Sequence, residues 1–336
     1  LAQLEHLVEL RITHDAQLSP AALRKFKSLP NLVQLEFGNP SIDDEQLLAL
    51  RGVEFSKLTW LNIRHTNSDG SGLAAFQGAP LKTAYLKKLS DAGATELGQF
   101  SELTSVTTQE PQITSAGLAE LTKLSNLERL DLQNLKQLGD TDFAGLEAMS
   151  GLRELRLTGS GAGDQTAQRI SNLLLANLYI GSPAFTDEGL THVGNITTLC
   201  GRLEVGTEAQ ITDAGIQKLW GPAKLRALYL HPRSGITGSS FEIVADMTRL
   251  STVEVRSEDF TDTGMRYLGY LPELERATLG HNNHGPKEVT DEGLLMIAEA
   301  PKLKVLTLHR TGCPVTDAGL EALKQKRPDL QVNTGP

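Results

Sequence analysis

Cysteine and long apolar runs are both scarce in this chain, and each scarcity excludes a class of protein. The 336 residues include two cysteines, Cys200 and Cys313, which lie more than a hundred residues apart with no Cys-x-x-Cys motif near either. Small secreted domains need several disulfides, and structural zinc sites need closely spaced ligand pairs. The sequence therefore excludes a disulfide scaffold, and we expect Cys200 to be a small buried hydrophobe.

Membrane spans and strongly basic surfaces are missing as well. No apolar run approaches the roughly 18 residues that a transmembrane helix needs. The formal net charge is −9, from 41 acidic and 32 basic residues, which argues against nucleic acid or an anionic membrane as the ligand. We therefore expect no nucleic-acid partner and no membrane insertion. The compartment stays open, with a slight preference for the cytoplasm.

Motifs of enzymes and cofactor sites are also absent. The chain contains no G-x-S-x-G, H-E-x-x-H or P-loop sequence. Gly159-Ser-Gly161-Ala-Gly163 resembles a dinucleotide-binding turn, but it lacks the full G-x-G-x-x-G spacing, so an ordinary loop is the better interpretation. His281-Asn-Asn-His284 could share a metal, but nothing nearby completes a ligand set, and a flexible polar loop is the better interpretation. We expect no catalytic residues, no metal and no cofactor.

The chain does contain a short sequence motif, called a phrase below, that it repeats. Leu127-Glu-Arg-Leu130-Asp-Leu132 is an LxxLxL hexamer, and Leu152–Leu157 and Leu303–Leu308 repeat it. The thirteen hexamers recur about every 25 residues, a period typical of solenoid proteins. Their first residues are Leu7, Leu32, Leu58, Leu81, Leu103, Leu127, Leu152, Leu175, Cys200, Leu225, Leu250, Leu274 and Leu303.

The hexamer predicts a short strand, and a second phrase after it predicts a helix. The fourth and sixth residues share a parity and face the core, while the third and fifth face the other side. The second phrase reads Val289-Thr-Asp-Glu-Gly-Leu294 or Val315-Thr-Asp-Ala-Gly-Leu320. Its Thr or Asp can cap a helix, whose apolar positions then recur three or four residues apart. Identical strand, loop and helix units predict parallel strands.

These phrases resemble those of leucine-rich repeats, over essentially the whole chain. The (I/V)-T-D-x-G-L form is similar to the cysteine-containing subtype and to repeat arrays of some bacteria, planctomycetes among them. The chain has only two cysteines, so the bacterial form is the better match. The resemblance implies an α/β right-handed solenoid, curved into an arc with its parallel sheet on the concave face and short helices on the convex face.

We expect a single solenoid domain over residues 1–336, with residues 321–336 as a C-terminal capping segment. The first seven residues match Leu121–Leu127, so the chain is expected to begin partway through a repeat, as an excised fragment or a processed chain. The polar residues 324–329 and the short strand Leu330-Gln-Val332 indicate a true C-terminal cap. A monomer is expected.

The outward strand positions are where a ligand would bind. Three of the five tyrosines occupy the fifth hexamer position, and Trp60 occupies a third position. Tyr, Trp and Arg are enriched in binding hot spots, although Tyr and Thr also suit exposed strands. Two patches are predicted to bind a partner. The first contains Trp60, Asn62, Arg64, His65, Tyr85, Lys87 and Lys88, and the second contains Tyr179, Arg202, Glu204, Tyr229 and His231.

These observations favour a non-enzymatic scaffold that binds a protein or peptide across the concave sheet. The first patch is the preferred one, because it holds the only displayed Trp beside several cations, which could attract an acidic partner. The alternative is a sensor or targeting segment of a larger signalling or effector protein. A stand-alone enzyme is the least favoured interpretation. The sequence does not identify the partner.

Overall fold

A computed structural model describes residues 5–13, 19–26, 28–281 and 284–335 of the protein. Within these residues, fourteen strands form a parallel sheet whose strand order follows the chain from β1 to β14. Contacts divide the chain into two compact units, Leu1–Ser160 and Gly161–Pro336.

Unit 1 contains seven strands and four α-helices in its described part. The strands are β1 Glu9–Thr13, β2 Gln34–Gly38, β3 Trp60–Ile63, β4 Thr83–Leu89, β5 Ser105–Pro111, β6 Arg129–Leu132 and β7 Glu154–Arg156. The helices are α1 Pro20–Leu23, α2 Asp44–Leu48, α3 Asp91–Leu97 and α4 Ser115–Leu121. Short 3-10 helices at Ser71–Phe76, Asp140–Asp142 and Leu146–Ala148 complete the helical layer.

Unit 2 contains seven further strands and seven α-helices in its described part. The strands are β8 Asn177–Ile180, β9 Arg202–Val205, β10 Ala227–Leu230, β11 Thr252–Val255, β12 Arg276–Leu279, β13 Val305–His309 and β14 Gln331–Gly335. The helices are α5 Asp164–Ile170, α6 Asp187–Val193, α7 Asp213–Ile216, α8 Glu242–Ala245, α9 Asp262–Gly269, α10 Asp291–Ile297 and α11 Asp317–Lys326.

The thirteen predicted strands are all present, each beginning two residues into its hexamer. The predicted parity is also confirmed, because Leu130 and Leu132 of β6 are fully buried between the sheet and the helices. Equivalent residues of neighbouring strands lie side by side, as in Val106 beside Leu130 beside Leu155. The leucines therefore form continuous rows in the core, and the residues between them form the opposite surface of the sheet.

The Thr-Asp phrase links several repeats to the repeat that follows them. The threonine is the helix N-cap, as predicted: the Oγ1 atom of Thr290 accepts a hydrogen bond from the backbone N–H of Glu292. The aspartate then accepts hydrogen bonds of 2.6–2.9 Å from the backbone N–H and the Oγ1 hydroxyl of the next threonine. The pairs are Asp91–Thr114, Asp164–Thr186, Asp187–Thr212, Asp213–Thr237, Asp262–Thr290 and Asp291–Thr316. We call this series the aspartate ladder.

The glycine-rich segment leads into α5. Asp164, which ends the glycine-rich segment, is the first residue of α5 and a member of the aspartate ladder, so the segment is the ordinary loop that was predicted.

The prediction that Cys200 is buried is wrong, because its side chain is exposed. Leu199, one residue earlier, is fully buried instead. The hexamer of this repeat therefore has its first core position displaced by one residue.

The C-terminal segment ends in α11 and β14, which pairs in register with β13. Arg327 follows α11, and its guanidinium donates to the carbonyl oxygens of Ala298, Ala300 and Leu303 at 2.8–3.0 Å. Asp329 holds the same guanidinium at 2.9 Å, and this hydrogen bond raises the pKa of Arg327. One arginine thus satisfies three carbonyl groups at the end of the preceding repeat.

Candidate functional site

The third and fifth hexamer residues form the surface of the sheet opposite the core, which we call the strand face. Parallel pairing sets their neighbours: Trp60 lies beside Thr83, and Asn62 lies beside Tyr85. Because every strand begins at the same hexamer position, residues of one column are adjacent across the sheet. A side chain on this face therefore has neighbours that can be read from the alignment of the hexamers.

The first predicted patch contains a pair of aromatic rings. Trp60 and Tyr85 are both half-buried, with ring centroids 5.7 Å apart and an angle of 57° between the rings. The guanidinium carbon of Arg64 lies 5.9 Å from the centre of the Tyr85 ring. Tilted rings at this separation attract each other, and a cation near an aromatic face adds to the attraction. The structure thus brings together Trp60, Tyr85 and Arg64, three of the residues predicted for this patch.

Asn62 lies under this patch rather than on its surface. Only 2% of its area is exposed, so the expectation that it is displayed needs correction. Its Nδ2 donates to Oε1 of Glu36 at 3.2 Å, and its Oδ1 accepts from the backbone N–H of Arg64 at 3.2 Å. Asn62 therefore positions the start of the loop that carries Arg64 and His65.

A groove of about 810 Å³ lies beside the aromatic pair, at the carboxyl ends of β1 to β5. We call it the strand-end groove. Its walls include Arg64, His65 and Lys87 from the first patch. Lys88 is next to Lys87 and stands in register with Glu110 on β5. Other lining residues are Thr13, Glu36, Gly38, Asn39, Pro40, Thr66, Asn67 and Gln109.

The second predicted patch is built around Arg202. Its guanidinium carbon lies 3.6 Å from the ring centre of Tyr229 and 5.1 Å from that of Tyr179. Its Nη2 donates to Oε2 of Glu204 at 2.5 Å. Tyr179 is only 8% exposed. Tyr179 is therefore another predicted contact residue that the structure buries.

His231 continues the second patch and is also covered. It is 7% exposed, with its Nε2 3.2 Å from Oε1 of Glu254 and its ring centre 6.1 Å from that of Tyr229. The same Glu254 oxygen accepts from Nε of Arg256 at 2.7 Å. Burial opposes ionisation of Glu254, but the hydrogen bonds from His231 and Arg256 outweigh it and lower the pKa of Glu254 to about 2. The second patch is thus a network whose charges already have partners.

Between the two patches, strand-face charges are paired with one another. Arg129 lies 3.3 Å from Glu154, and Arg156 lies 3.8 Å from Asp131. Asp131 is 2% exposed, and its burial raises its pKa although the two arginines and Gln133 oppose the rise. These pairs leave fewer charged groups for a ligand than the first patch does.

The histidine loop is held at both ends. His281 and His284 are joined by two backbone hydrogen bonds of 2.8 and 2.9 Å, and Nδ1 of His284 lies 3.4 Å from Oε1 of Glu258. Glu258 also binds Nε of Arg233 and Nζ of Lys287, each at 2.6 Å. The two asparagines of the predicted flexible loop lie outside the described residues, but its flanks make defined contacts. Within the described part of the chain, no three Cys, His, Asp or Glu side chains gather as metal ligands.

Sequence reasoning did not find the strand-end groove. It is lined by the seventh residues of five successive hexamers, Thr13, Gly38, Arg64, Lys87 and Gln109. The hexamer ends one residue earlier, so its pattern assigns this column to the loop. Aligning the residues after each hexamer would have placed Arg64 and Lys87 on neighbouring strands, although the depth of the groove depends on loop conformation.

The register, the buried leucine rows and the alternating helices define a leucine-rich-repeat solenoid. Comparison with solved structures agrees. An internalin from Listeria monocytogenes is similar with a TM-score of 0.57 and 20% identity, covering 94% of this chain and 88% of that one. This level of similarity shows the fold alone.

Weaker similarity extends to two other structures. The Rad7 and Elc1 complex of yeast gives a TM-score of 0.49 at 20% identity, covering 77% of this chain and 76% of that chain. A leucine-rich-repeat protein of Leptospira interrogans gives 0.36 at 16% identity, covering 91% and 90%. No protein-family model matches the sequence, and a comparison with curated proteins finds no match. In the described residues, none of the helices has the length and apolar character to cross a bilayer.

Proposed function

We propose that this chain is a non-enzymatic scaffold that binds a protein or peptide across its strand face. The aromatic pair Trp60 and Tyr85 is the anchor, with Arg64 beside it. The remaining proposed contact residues are His65, Lys87, Lys88, Arg202 and Tyr229, while Asn62, Tyr179 and His231 are at most 8% exposed and are proposed to position them. Such a scaffold can act alone or as the targeting segment of a larger signalling protein, since both roles use the same surface.

The observation that carries the proposal is the half-buried ring pair on the strand face. The ring centroids of Trp60 and Tyr85 are 5.7 Å apart, and both side chains keep part of their area open to solvent. Large rings that are already oriented by neighbours lose little conformational entropy when a partner covers them, and Trp, Tyr and Arg dominate binding hot spots. Rigid strands hold this geometry better than loops would.

The test is affinity capture from the native lysate, comparing the wild-type chain with the double variant Trp60→Ala/Tyr85→Ala. If each ring is a hot spot worth about 2 kcal/mol, loss of even one weakens capture of the partner by roughly 30-fold. The unfolding free energy should fall by about 1 kcal/mol or less, because both rings are only half-buried.

A second aromatic pair in the same chain provides the matched control. Tyr267 and Tyr270 have ring centres 6.3 Å apart, Tyr270 is 60% exposed, and the guanidinium of Arg266 lies 5.4 Å from the Tyr267 ring. The variant Tyr267→Ala/Tyr270→Ala removes two tyrosines from the end of α9 and should capture the partner normally. Capture that survives the Trp60 and Tyr85 substitutions, or that is lost equally in the control, would exclude the proposed anchor.

A further inference from the structure

We infer that the strand-end groove binds an extended acidic segment of the partner protein. The inference rests on the proposed function, because the groove adjoins the aromatic pair, and it assigns the partner's chemistry.

The cations of the groove are largely uncompensated. Among the described residues, no carboxylate forms an ion pair with Arg64 or His65, which both line the groove. The Nζ of Lys87 approaches a carboxylate only at 3.9 Å, where it faces Oε2 of Glu110. That glutamate is itself half exposed, so the pair is weak in water. Arg64 is oriented by the Tyr85 ring instead of by an acid.

The equivalent position of another repeat shows a different arrangement. Arg256 occupies the same seventh hexamer position as Arg64, and its Nε donates at 2.7 Å to Glu254, two residues before it. The residue two before Arg64 is Asn62, which is neutral, and the residue two before Lys87 is Tyr85. The repeat can neutralise a strand-end cation locally, but the residues at the groove do not do so.

Among the described residues that line the groove, Glu36 is the one carboxylate, and it is already engaged. Glu36 accepts a hydrogen bond from Asn62 and lies 3.7 Å from Nε of Arg11 on β1. The groove therefore presents two permanent cations and one histidine against one partnered acid. A ligand with carboxylates can form charge-assisted hydrogen bonds with Arg64 and Lys87, each stronger than a neutral one.

The shape and the charge of the chain favour a peptide over a long polyanion. The groove crosses β1 to β5, or four strand spacings of about 4.8 Å, which is roughly 19 Å. About six residues of extended peptide, at roughly 3.3 Å each, span that distance. The chain as a whole carries −9 and repels a nucleic acid or a polyanionic sugar that reaches beyond the groove. A short acidic segment can enter without meeting that repulsion.

The test uses a fluorescein-labelled peptide of six glutamates flanked by glycines, with the corresponding hexaglutamine peptide as the reference. Fluorescence anisotropy at low salt should show binding of the glutamate peptide and at least tenfold weaker binding of the glutamine peptide. The double variant Arg64→Gln/Lys87→Gln should bind the glutamate peptide at least about tenfold more weakly, since each loses a charge-assisted contact.

The control removes the same charge elsewhere. Arg226 and Arg249 are exposed and line a different groove, together with Glu273 and Glu275. Arg226→Gln/Arg249→Gln should leave the affinity within about twofold of wild type. Absent binding of the glutamate peptide, equal loss in both variants, or a single-stranded dT6 that binds as tightly through the same residues would overturn the assignment to an acidic peptide.

The two proposals fail in different ways. Suppose that the Arg64 and Lys87 substitutions leave the affinity for the glutamate peptide unchanged, while lysate capture still requires Trp60 and Tyr85. The scaffold function then stands and the acidic-segment inference is wrong. If the peptide depends on Arg64 and Lys87 while capture survives the aromatic substitutions, the groove is real and the aromatic anchor is wrong.

Discussion

At the scale of single residues, the glycine of the Thr-Asp-x-Gly phrase is explained by the aspartate carboxylate of the preceding repeat, which occupies the space beside it. Oδ1 and Oδ2 of Asp262 accept hydrogen bonds from the N–H and the hydroxyl of Thr290 at 2.8 and 2.6 Å. The same carboxylate lies where a Cβ at Gly293 would be, so any larger residue there overlaps it. The glycine of the phrase is therefore required by the aspartate of the preceding repeat, and not by an unusual backbone angle.

This close approach predicts that Gly293→Ala destabilises the fold even though alanine is the better helix former. Gly293 lies in α10, where the change alone would stabilise a free helix by roughly 1 kcal/mol. The clash with Asp262 should reverse the sign and cost about 1–3 kcal/mol. Chemical denaturation of the two proteins measures the difference.

A double-mutant cycle isolates the cause of that loss. In the Asp262→Ala background the overlap is gone, so Gly293→Ala should then cost much less or become stabilising. Gly139→Ala is the control, because the nearest atom to a Cβ there is 3.7 Å away and the φ of Gly139 is −85°. The same cost for Gly293→Ala in both backgrounds would show that the carboxylate is not the reason for the glycine.

At the scale of strands and loops, the sequence predicted the strands, which follow from a repeated period. It did not predict the features that depend on the conformation of individual loops. The alternation in the thirteen hexamers predicted β1 to β13 and their buried side, since a period of two has one solution once the core face is known. It could not predict that Leu199 would replace Cys200 in the core, because a one-residue shift leaves the hexamer pattern readable. The burial of Tyr179 and His231 arises from neighbours on other strands.

The loop after β11 provides a prediction about acid stability. Two hydrogen bonds, from Lys287 with the larger effect and from Arg233, lower the pKa of Glu258 to about 2. A carboxylate whose folded pKa is depressed stabilises the fold fully above its ordinary pKa near 4.5, and this contribution disappears as the pH falls toward 2. The wild-type chain should therefore lose more unfolding free energy between pH 6 and pH 3 than Glu258→Gln.

Both cations are well exposed, with 69% of the Arg233 side chain and 61% of the Lys287 side chain open to solvent. The difference should accordingly be about 1 kcal/mol or less. Urea titrations at the two pH values measure it, with Glu321→Gln as the control because Glu321 is exposed on α11. Identical pH slopes for wild type and Glu258→Gln would mean that the Glu258 ion pairs add nothing to stability.

At the scale of the whole molecule, each repeat is stabilised by the repeats next to it in the chain. Strand pairs join β5 to β6 and β6 to β7, and the aspartate ladder joins the helix of one repeat to the next. Nearest-neighbour contacts of this kind make stability a sum of repeat and interface contributions. They also explain how a chain with a net charge of −9 can carry a cationic groove, since each repeat sets its own surface.

Local contacts of this kind predict that a core defect spreads only to adjacent repeats. Leu130→Ala in β6 removes a fully buried side chain and should cost about 2–5 kcal/mol. Amide hydrogen exchange should then accelerate in β5, β6 and β7, because their contacts are the ones weakened, and should change little in β2. Leu35→Ala in β2 is the reciprocal control and should accelerate exchange in β1 to β3 but not in β6. Equal acceleration of all seven strands of unit 1 by either substitution would show that the unit opens as one cooperative body, and the nearest-neighbour account would then be wrong for this protein.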